Sequence, residues 1–298
     1  MINILTNHEV WGMVFALTSA LMWAFTAILF RQLGNTISPF SMNLGKGVVA
    51  TICLGVLLLL TDTNLVTRHT FLLLGISGLL GITLGDTFYF MALIRLGPRL
   101  ALILATLIPA ATVFLAILIL RESPSFISWL GILFTLLGVI WVLWERNPTG
   151  HQLNDWKAGV KYGILSVLCC ALGIIFSKIV IQSTSALKAT FIRQIWGVAG
   201  LIFWGLISFN LKSWFKPLAS PALLKNLLPA SFVGTFLGTW FCLLALKYTD
   251  ASIATTLNST SPLFILPLAF FILKEKISFR AVIGSAIAVA GVSLVFLG

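Results

Sequence analysis

The stretch Gly81-Ile82-Thr83-Leu84-Gly85-Asp86-Thr87-Phe88-Tyr89-Phe90-Met91-Ala92-Leu93 returns 153 residues later as Gly234-Thr235-Phe236-Leu237-Gly238-Thr239-Trp240-Phe241-Cys242-Leu243-Leu244-Ala245-Leu246. Under that shift Gly81, Gly85, Phe88, Ala92 and Leu93 fall on Gly234, Gly238, Phe241, Ala245 and Leu246. Further along, Pro109, Glu122, Ser125, Phe126, Gly131, Gly138 and Val139 fall on Pro262, Glu275, Ser278, Phe279, Gly284, Gly291 and Val292. A shift of 147 lays Ser19, Ala24, Ile28 and Lys46 on Ser166, Ala171, Ile175 and Arg193. Apolar helices share leucines by chance. Matched prolines, glycines and a Glu-x-x-Ser-Phe group at constant offset point instead to a repeat, with units at 1–147 and 148–298.

Composition fixes the solvent of each unit. The 298 residues are 59% hydrophobic and 9% charged, with mean hydropathy +1.07, whereas a soluble domain carries roughly 25% charge. Apolar runs lie at 10–30, 39–60, 70–93, 99–120, 125–144, 158–178, 187–208, 227–246, 251–272 and 279–297. About 20 residues of helix cross ~30 Å of hydrocarbon. The chain therefore reads as an all-α integral membrane protein with ten transmembrane helices, five in each unit. The runs are too long for strands, and no ~10-residue alternation suggests a barrel. An odd number of crossings turns the second unit upside down. The design is an inverted repeat, which lets one fold take two mirror-related shapes, open to either side.

The net charge of +11 sits mostly at the ends of the runs. It reads as anchoring against anionic headgroups, with no nucleic-acid partner. Counting Lys and Arg in alternate loops gives twelve on one side and five on the side shared by both termini, which places both termini outside. The first run has no Lys or Arg before it and reads as a span, not a cleavable signal. Cys53, Cys169, Cys170 and Cys242 all fall in apolar runs without CxxC spacing, and His8, His69 and His151 lie in tails or loops. Neither a disulfide framework nor a metal site is expected, and the cysteines read as small packing residues.

Three charges lie inside spans, where each costs ~3 kcal/mol on insertion scales: Lys46, Asp86 and Arg193. Asp86 shares a helical face with Thr83, Tyr89 and Phe90. That face reads as a polar, aromatic cavity wall, or alternatively Asp86 serves a structural ion pair. It is also the obvious intramembrane proton carrier. Lys46 and Arg193 occupy equivalent places in the repeat, ~10 Å below the surface. They either snorkel or form cationic sites that bind anionic groups or lock helices, and Lys46 is the expected partner of Asp86. The ninth run begins Thr255-Thr256-Leu257-Asn258-Ser259-Thr260-Ser261-Pro262. Pro262 lacks an N–H and crowds the carbonyl of Asn258, so a kink and a free acceptor are expected there. Thr106 and Pro109 repeat the device, freeing the carbonyl of Ala105. Hydroxyl groups in such a run can equally bond back to their own helix. Trp11, Trp129, Trp144, Trp156 and Trp214 lie near run ends and suggest an interfacial belt. Trp23 and Trp240 sit deeper. With Thr26, Thr239, Asn258 and Ser261 they complete the set of candidate cavity residues, and packing is the alternative for both tryptophans. The GxxxG pairs at 81/85 and 234/238 are explained by close helix approach.

Two five-helix halves, the Gly-Asp-Thr-Phe-Tyr-Phe-Met-Ala-Leu stretch from Gly85 to Leu93, and a mid-helix proline followed by Glu122 or Glu275 resemble the EamA-type members of the drug/metabolite transporter superfamily. The resemblance covers nearly the whole chain. It implies a carrier, mostly an exporter, of amino acids, other metabolites, amines or toxic compounds; some relatives carry sugars or nucleotide sugars. It also implies a central cavity lined by helices one to four and six to nine, with helices five and ten peripheral.

No Walker A, GxGxxG or GxSxG context is present, so neither an enzyme nor a cofactor is expected. The expectation is a secondary transporter, an exporter working by alternating access on an amino acid or related aromatic or zwitterionic metabolite. A multidrug or sugar-type carrier is the alternative. A channel fits less well, because polar residues cluster near mid-membrane in paired places instead of forming a continuous stripe. The expected partners are a small-molecule substrate and the lipid bilayer, as a monomer or weak homo-oligomer in the bacterial plasma (inner) membrane.

Overall fold

The computed structural model describes residues 7–61, 66–120, 125–143, 153–248, 257–274 and 278–297. Every regular element among them is a helix. The first half holds α1 (Asn7–Leu33), α2 (Pro39–Thr61), α3 (Arg68–Gly78), α4 (Thr87–Ala105), α5 (Leu107–Leu120) and α6 (Phe126–Leu143). The second holds α7 (Leu153–Val180), α8 (Ala186–Ile207), α9 (Leu211–Phe215), α10 (Pro221–Ala230), α11 (Thr239–Tyr248), α12 (Ser261–Leu273) and α13 (Phe279–Leu297). Six continuous helical stretches are long and apolar enough to cross a bilayer, and shorter apolar helices supply the remainder. The ten expected runs map onto these elements, with the third and eighth each assembled from two α-helices and the turn between them.

The third and fourth spans are separated by one residue. Gly97 has φ 80° and ψ 167° inside α4, a backbone that only glycine adopts without strain. Pro98 follows it and starts the next helix, where a missing N–H costs nothing. The fourth span breaks at Thr106, whose N–H and hydroxyl both turn back to Ile103 O. The ninth breaks at the turn Ser259–Thr260, the position equivalent to Thr106 under the 153 shift. In both, the break precedes the proline by three residues, as the missing N–H and the crowded carbonyl of Pro109 and Pro262 require. One expectation is corrected. The Asn258 carbonyl is not free, because the Ser261 hydroxyl reaches back three residues and donates to it at 2.9 Å. Thr255 and Thr256 lie outside the described residues. Trp214 also departs from the expected belt: α9 folds under α2 and α8, and its ring stacks on Phe40 at 4.5 Å and is 7% exposed.

The third and eighth spans share an unusual feature. Leu79–Asp86 and Ser231–Gly238 are π-helical, at matching places in the repeat. A π turn shifts carbonyls out of register with the donors above them, and in hydrocarbon they need other partners. Those partners come from neighbouring spans. Trp23 Nε1 donates to Gly234 O at 3.1 Å. Cys170, the counterpart of Trp23, directs its thiol at Gly81 O, the counterpart of Gly234, at 3.9 Å. Ser19 Oγ donates to Gly238 O at 2.8 Å, and Asn43 Nδ2 donates to Ile82 O at 2.7 Å. Each half thus lays its first helix on the π turn of the other: α1 packs on the eighth span and α7 on the third.

At the edge, α6 and α13 pack chiefly on each other. A Cβ on Gly138 would sit 2.7 Å from Gly284 O and against the Ala288 backbone; one on Gly291 would sit 2.7 Å from Gly131 O and against the Thr135 backbone. Gly131 and Gly284, Thr135 and Ala288, and Gly138 and Gly291 are the same three positions of the two units. A residue late in one helix therefore meets a residue early in the other, which equivalent helices achieve only when antiparallel. The halves are inverted with respect to one another.

Two outcomes follow from this geometry. Thr36 and its counterpart Ser183 are exposed at helix ends, each with its hydroxyl donating to the carbonyl three residues back. In a background with the native cysteines replaced, Thr36→Cys and Ser183→Cys will react with a membrane-impermeant maleimide from opposite faces of the membrane. Gly138→Leu will lower stability by about 1–3 kcal/mol through overpacking of the α6–α13 seam, read as a lower unfolding temperature in detergent.

Candidate substrate site

The centre of the molecule lies where α2, the third span, α8 and the eighth span meet. Asn43, Lys46 and Gly47 share one face of α2, at helical spacings of three and four. Lys46 Nζ lies 2.5 Å from Asp86 Oδ2 and 5.3 Å from the centroid of the Phe90 ring. Lys46 is buried, while the Asp86 side chain keeps 28% exposure. Phe90 is 2% exposed and meets Phe30 edge-on at 4.9 Å, so it backs the lysine and does not form an open wall. Tyr89 is half-buried, its ring 5.7 Å from that of Phe90. Asn43, absent from the sequence-based candidates, holds the assembly together. Its amide nitrogen bridges Ile82 O and Thr87 Oγ1, the latter at 2.9 Å, and its Oδ1 is buried without a hydrogen-bond partner.

Arg193 faces this group from α8. Its backbone carbonyl abuts Gly78, and its Nη2 lies 3.3 Å from where a Cβ on Gly81 would stand. The backbone approach requires glycine at 78, whereas at 81 an added methyl would only push the guanidinium end aside by a few tenths of an ångström. Its Nε is buried with no hydrogen-bond partner, and among the described residues the guanidinium makes no ion pair. Asp86, Cys170 and Cys242 are within its electrostatic reach. Beside it, Gln194 Nε2 is also buried and unpartnered, against Gly47. On the ninth span, Asn258 is buried, donates to Cys242 Sγ at 3.2 Å, and keeps an unpartnered Oδ1.

The other candidates divide by where their polar atoms go. Trp23 spends its indole N–H on Gly234 O. Thr26 donates to Met22 O at 2.8 Å and fills the space over Gly234. Thr106 donates to Ile103 O at 2.7 Å, and Ser261 is bound to Asn258 O. Pro109 and Pro262 are buried at the two helix breaks. Thr239 is half-buried at the start of α11, directly after the π turn. Trp240 stacks on Phe236 at 6.0 Å and packs against the buried cluster that Phe236 forms with Ala50 and Leu54 of α2. The structure thus brings Lys46, Asp86, Tyr89 and Phe90 together, with Arg193 opposite. Two cavities lie elsewhere. One of about 400 Å³ opens at a membrane end beside Gly34, Ser38, Arg95 and Asp155. An apolar one of about 250 Å³ lies among Leu107, Phe114, Trp129 and Leu136. Neither touches Lys46, Asp86 or Arg193.

A model of the EamA-like transporter family matches twice, over residues 10–144 and 157–297. The chain belongs to the EamA-like transporter family. An uncharacterized transporter of Archaeoglobus fulgidus is 25% identical over 283 residues, covering 95% of this chain and 96% of the relative. An uncharacterized transporter of Synechocystis is 24% identical over 234 residues, 78% of this chain and 67% of the relative. A shorter match, 41% identical over 81 residues, is to an uncharacterized transporter of Bacillus subtilis, covering 26% of this chain and 24% of the relative. A solved crystal structure superposes with a TM-score of 0.67 at 17% identity, covering 95% of both chains, and shows the same fold. The EamA-like chain is accordingly a multi-pass integral membrane transporter with a small-molecule substrate, and its prokaryotic relatives fit a plasma (inner) membrane.

Breaking one side of a largely buried ion pair leaves an uncompensated charge, at a cost of roughly 3 kcal/mol. Lys46→Ala and Asp86→Ala will each lower the unfolding temperature, and the exchanged pair Lys46→Asp with Asp86→Lys will recover much of the loss. An exchange no more stable than the single variants would show that the contact adds nothing.

Proposed function

We propose that this EamA-like protein is a secondary transporter that exports a small zwitterionic or aromatic metabolite, an amino acid or close relative, by alternating access around the Lys46–Asp86–Arg193 centre. One observation carries the reading: Lys46, Asp86 and Arg193, the three charges that the sequence places well inside spans, lie together between two inverted halves, where alternating access needs its fixed site. The units 1–147 and 148–298 act as the two exchanging bodies. The half-buried Tyr89 and the unspent amide atoms of Asn43 and Asn258 provide apolar and hydrogen-bonding surface for a ligand of mixed character. The protein works as a monomer or weak homo-oligomer and as a carrier, without catalysis.

The test is a thermal-shift screen of the purified protein against a metabolite panel, followed by uptake of the hits into proteoliposomes. A hit that is transported, and whose transport is lost in Asp86→Ala, supports the reading. Transport that persists unchanged when all three charges are neutralised refutes it. Asp86→Asn separates the coupling question: if transport keeps its full pH response in that variant, Asp86 is not the proton carrier.

A further inference from the structure

We propose that Arg193 is the seat of one organic carboxylate, so that an anionic group is the obligatory feature of the transported molecule and an amino group is optional. The proposal deepens the transporter reading above and rests on it. Its ground is a difference between the halves. Lys46 and Arg193 are repeat counterparts under the 147 shift, but Asp86 has Thr239 as its counterpart under the 153 shift. The first half neutralises its own cation through the Lys46–Asp86 contact. The second half has Thr239 at the place of that acid, and among the described residues Arg193 is left without an ion pair and with a buried Nε that donates to nothing.

A guanidinium in that environment is costly unless an anion reaches it. Its planar fork of N–H donors matches the two oxygens of a carboxylate, a fit that an ammonium group lacks. The absence of a side chain at Gly81 keeps the space beside Nη2 clear. Gln194 Nε2, buried and unpartnered against Gly47 of α2, is a second unspent donor on the same helix. The unspent acceptors nearby, Asn43 Oδ1 and Asn258 Oδ1, are neutral. They can receive an ammonium but cannot replace a charge, and Asp86 is already engaged. A ligand carrying only a positive charge would therefore meet two cations and one committed acid.

The experiment uses the full-length protein in lipid nanodiscs. Its thermal unfolding is followed with phenylalanine, 3-phenylpropionate and phenethylamine, which share a ring and differ in charged groups, and with sodium chloride as the inorganic anion. The expected result is stabilisation by phenylalanine and 3-phenylpropionate and none by phenethylamine or chloride. Arg193→Lys will weaken binding by about tenfold, because a point charge replaces a fork. Arg193→Gln will abolish it while leaving the ligand-free unfolding temperature unchanged or higher, in contrast to Lys46→Ala, since Asp86 keeps Lys46 as its direct counter-ion. Stabilisation by phenethylamine equal to that by 3-phenylpropionate, an equal effect of chloride, undiminished binding in Arg193→Gln, or no response to either carboxylate would each overturn the proposal. Carboxylate-dependent stabilisation without uptake into proteoliposomes would instead remove the transport reading and leave the seat intact.

Discussion

A backbone carbonyl in hydrocarbon has no water to turn to, and the described residues of this protein contain two π turns that displace carbonyls from their helical partners. The arrangement of its halves follows from how those carbonyls are served. Gly234 O and Gly238 O are met by Trp23 and Ser19 of the other half; Gly81 O is approached by Cys170 of the other half; Ile82 O is met by Asn43 of its own. Because the donors cross between units, neither unit is self-sufficient. The interlock sets the third and eighth spans beside α8 and α2, and it is those neighbours that carry Arg193 and Lys46. Separating the halves would expose unsatisfied polar backbone to lipid, which costs several kcal/mol per group, so the centre is held by the same bonds that hold the fold.

The scaffold is symmetric and the chemistry on it is not. Helix breaks, π turns and packing glycines recur at equivalent positions, since they answer to backbone geometry that both units share. Side chains at the centre have diverged. Trp23 stands where the other half has Cys170, and Asp86 where it has Thr239. A cycle between two mirror-related shapes requires only the backbone to be pseudo-symmetric. In the alternating-access cycle proposed above a ligand would see one centre, and nothing requires that centre to look the same from both halves.

Much of this was legible in the sequence, for identifiable reasons. Ten crossings follow from run length, inversion from an odd number of spans per unit, and the Lys46–Asp86 contact from the cost of a lone charge in lipid. The prolines announced both broken helices, though not that Ser261 would close off the Asn258 carbonyl. Asn43 and Gln194 escaped notice because an uncharged amide in an apolar run carries no penalty large enough to stand out. The π turns escaped because no residue type marks them; only the paired glycines at 81 and 85, and at 234 and 238, hinted that these helices do something special, and close packing explained those glycines already. Trp23 could not be assigned a direction from its depth alone, and its donor turned out to serve the backbone of another helix. Trp214 shows the same limit: proximity to a span end does not distinguish a lipid-facing ring from one folded beneath its neighbours.

The α6–α13 seam carries a consequence about assembly. Glycine, threonine or alanine, and glycine on one helix meet the equivalent residues of the other in reversed order, so the contact is isologous in kind although it lies within one polypeptide. A surface of that type is complementary to its own copy. A solitary five-span unit presents half of such a contact, and two identical units inserted in opposite senses would bring the matching half to it with no new residue required. The covalent tether between the units thus fixes the stoichiometry and opposite insertion of an association whose geometry is already written into a single unit.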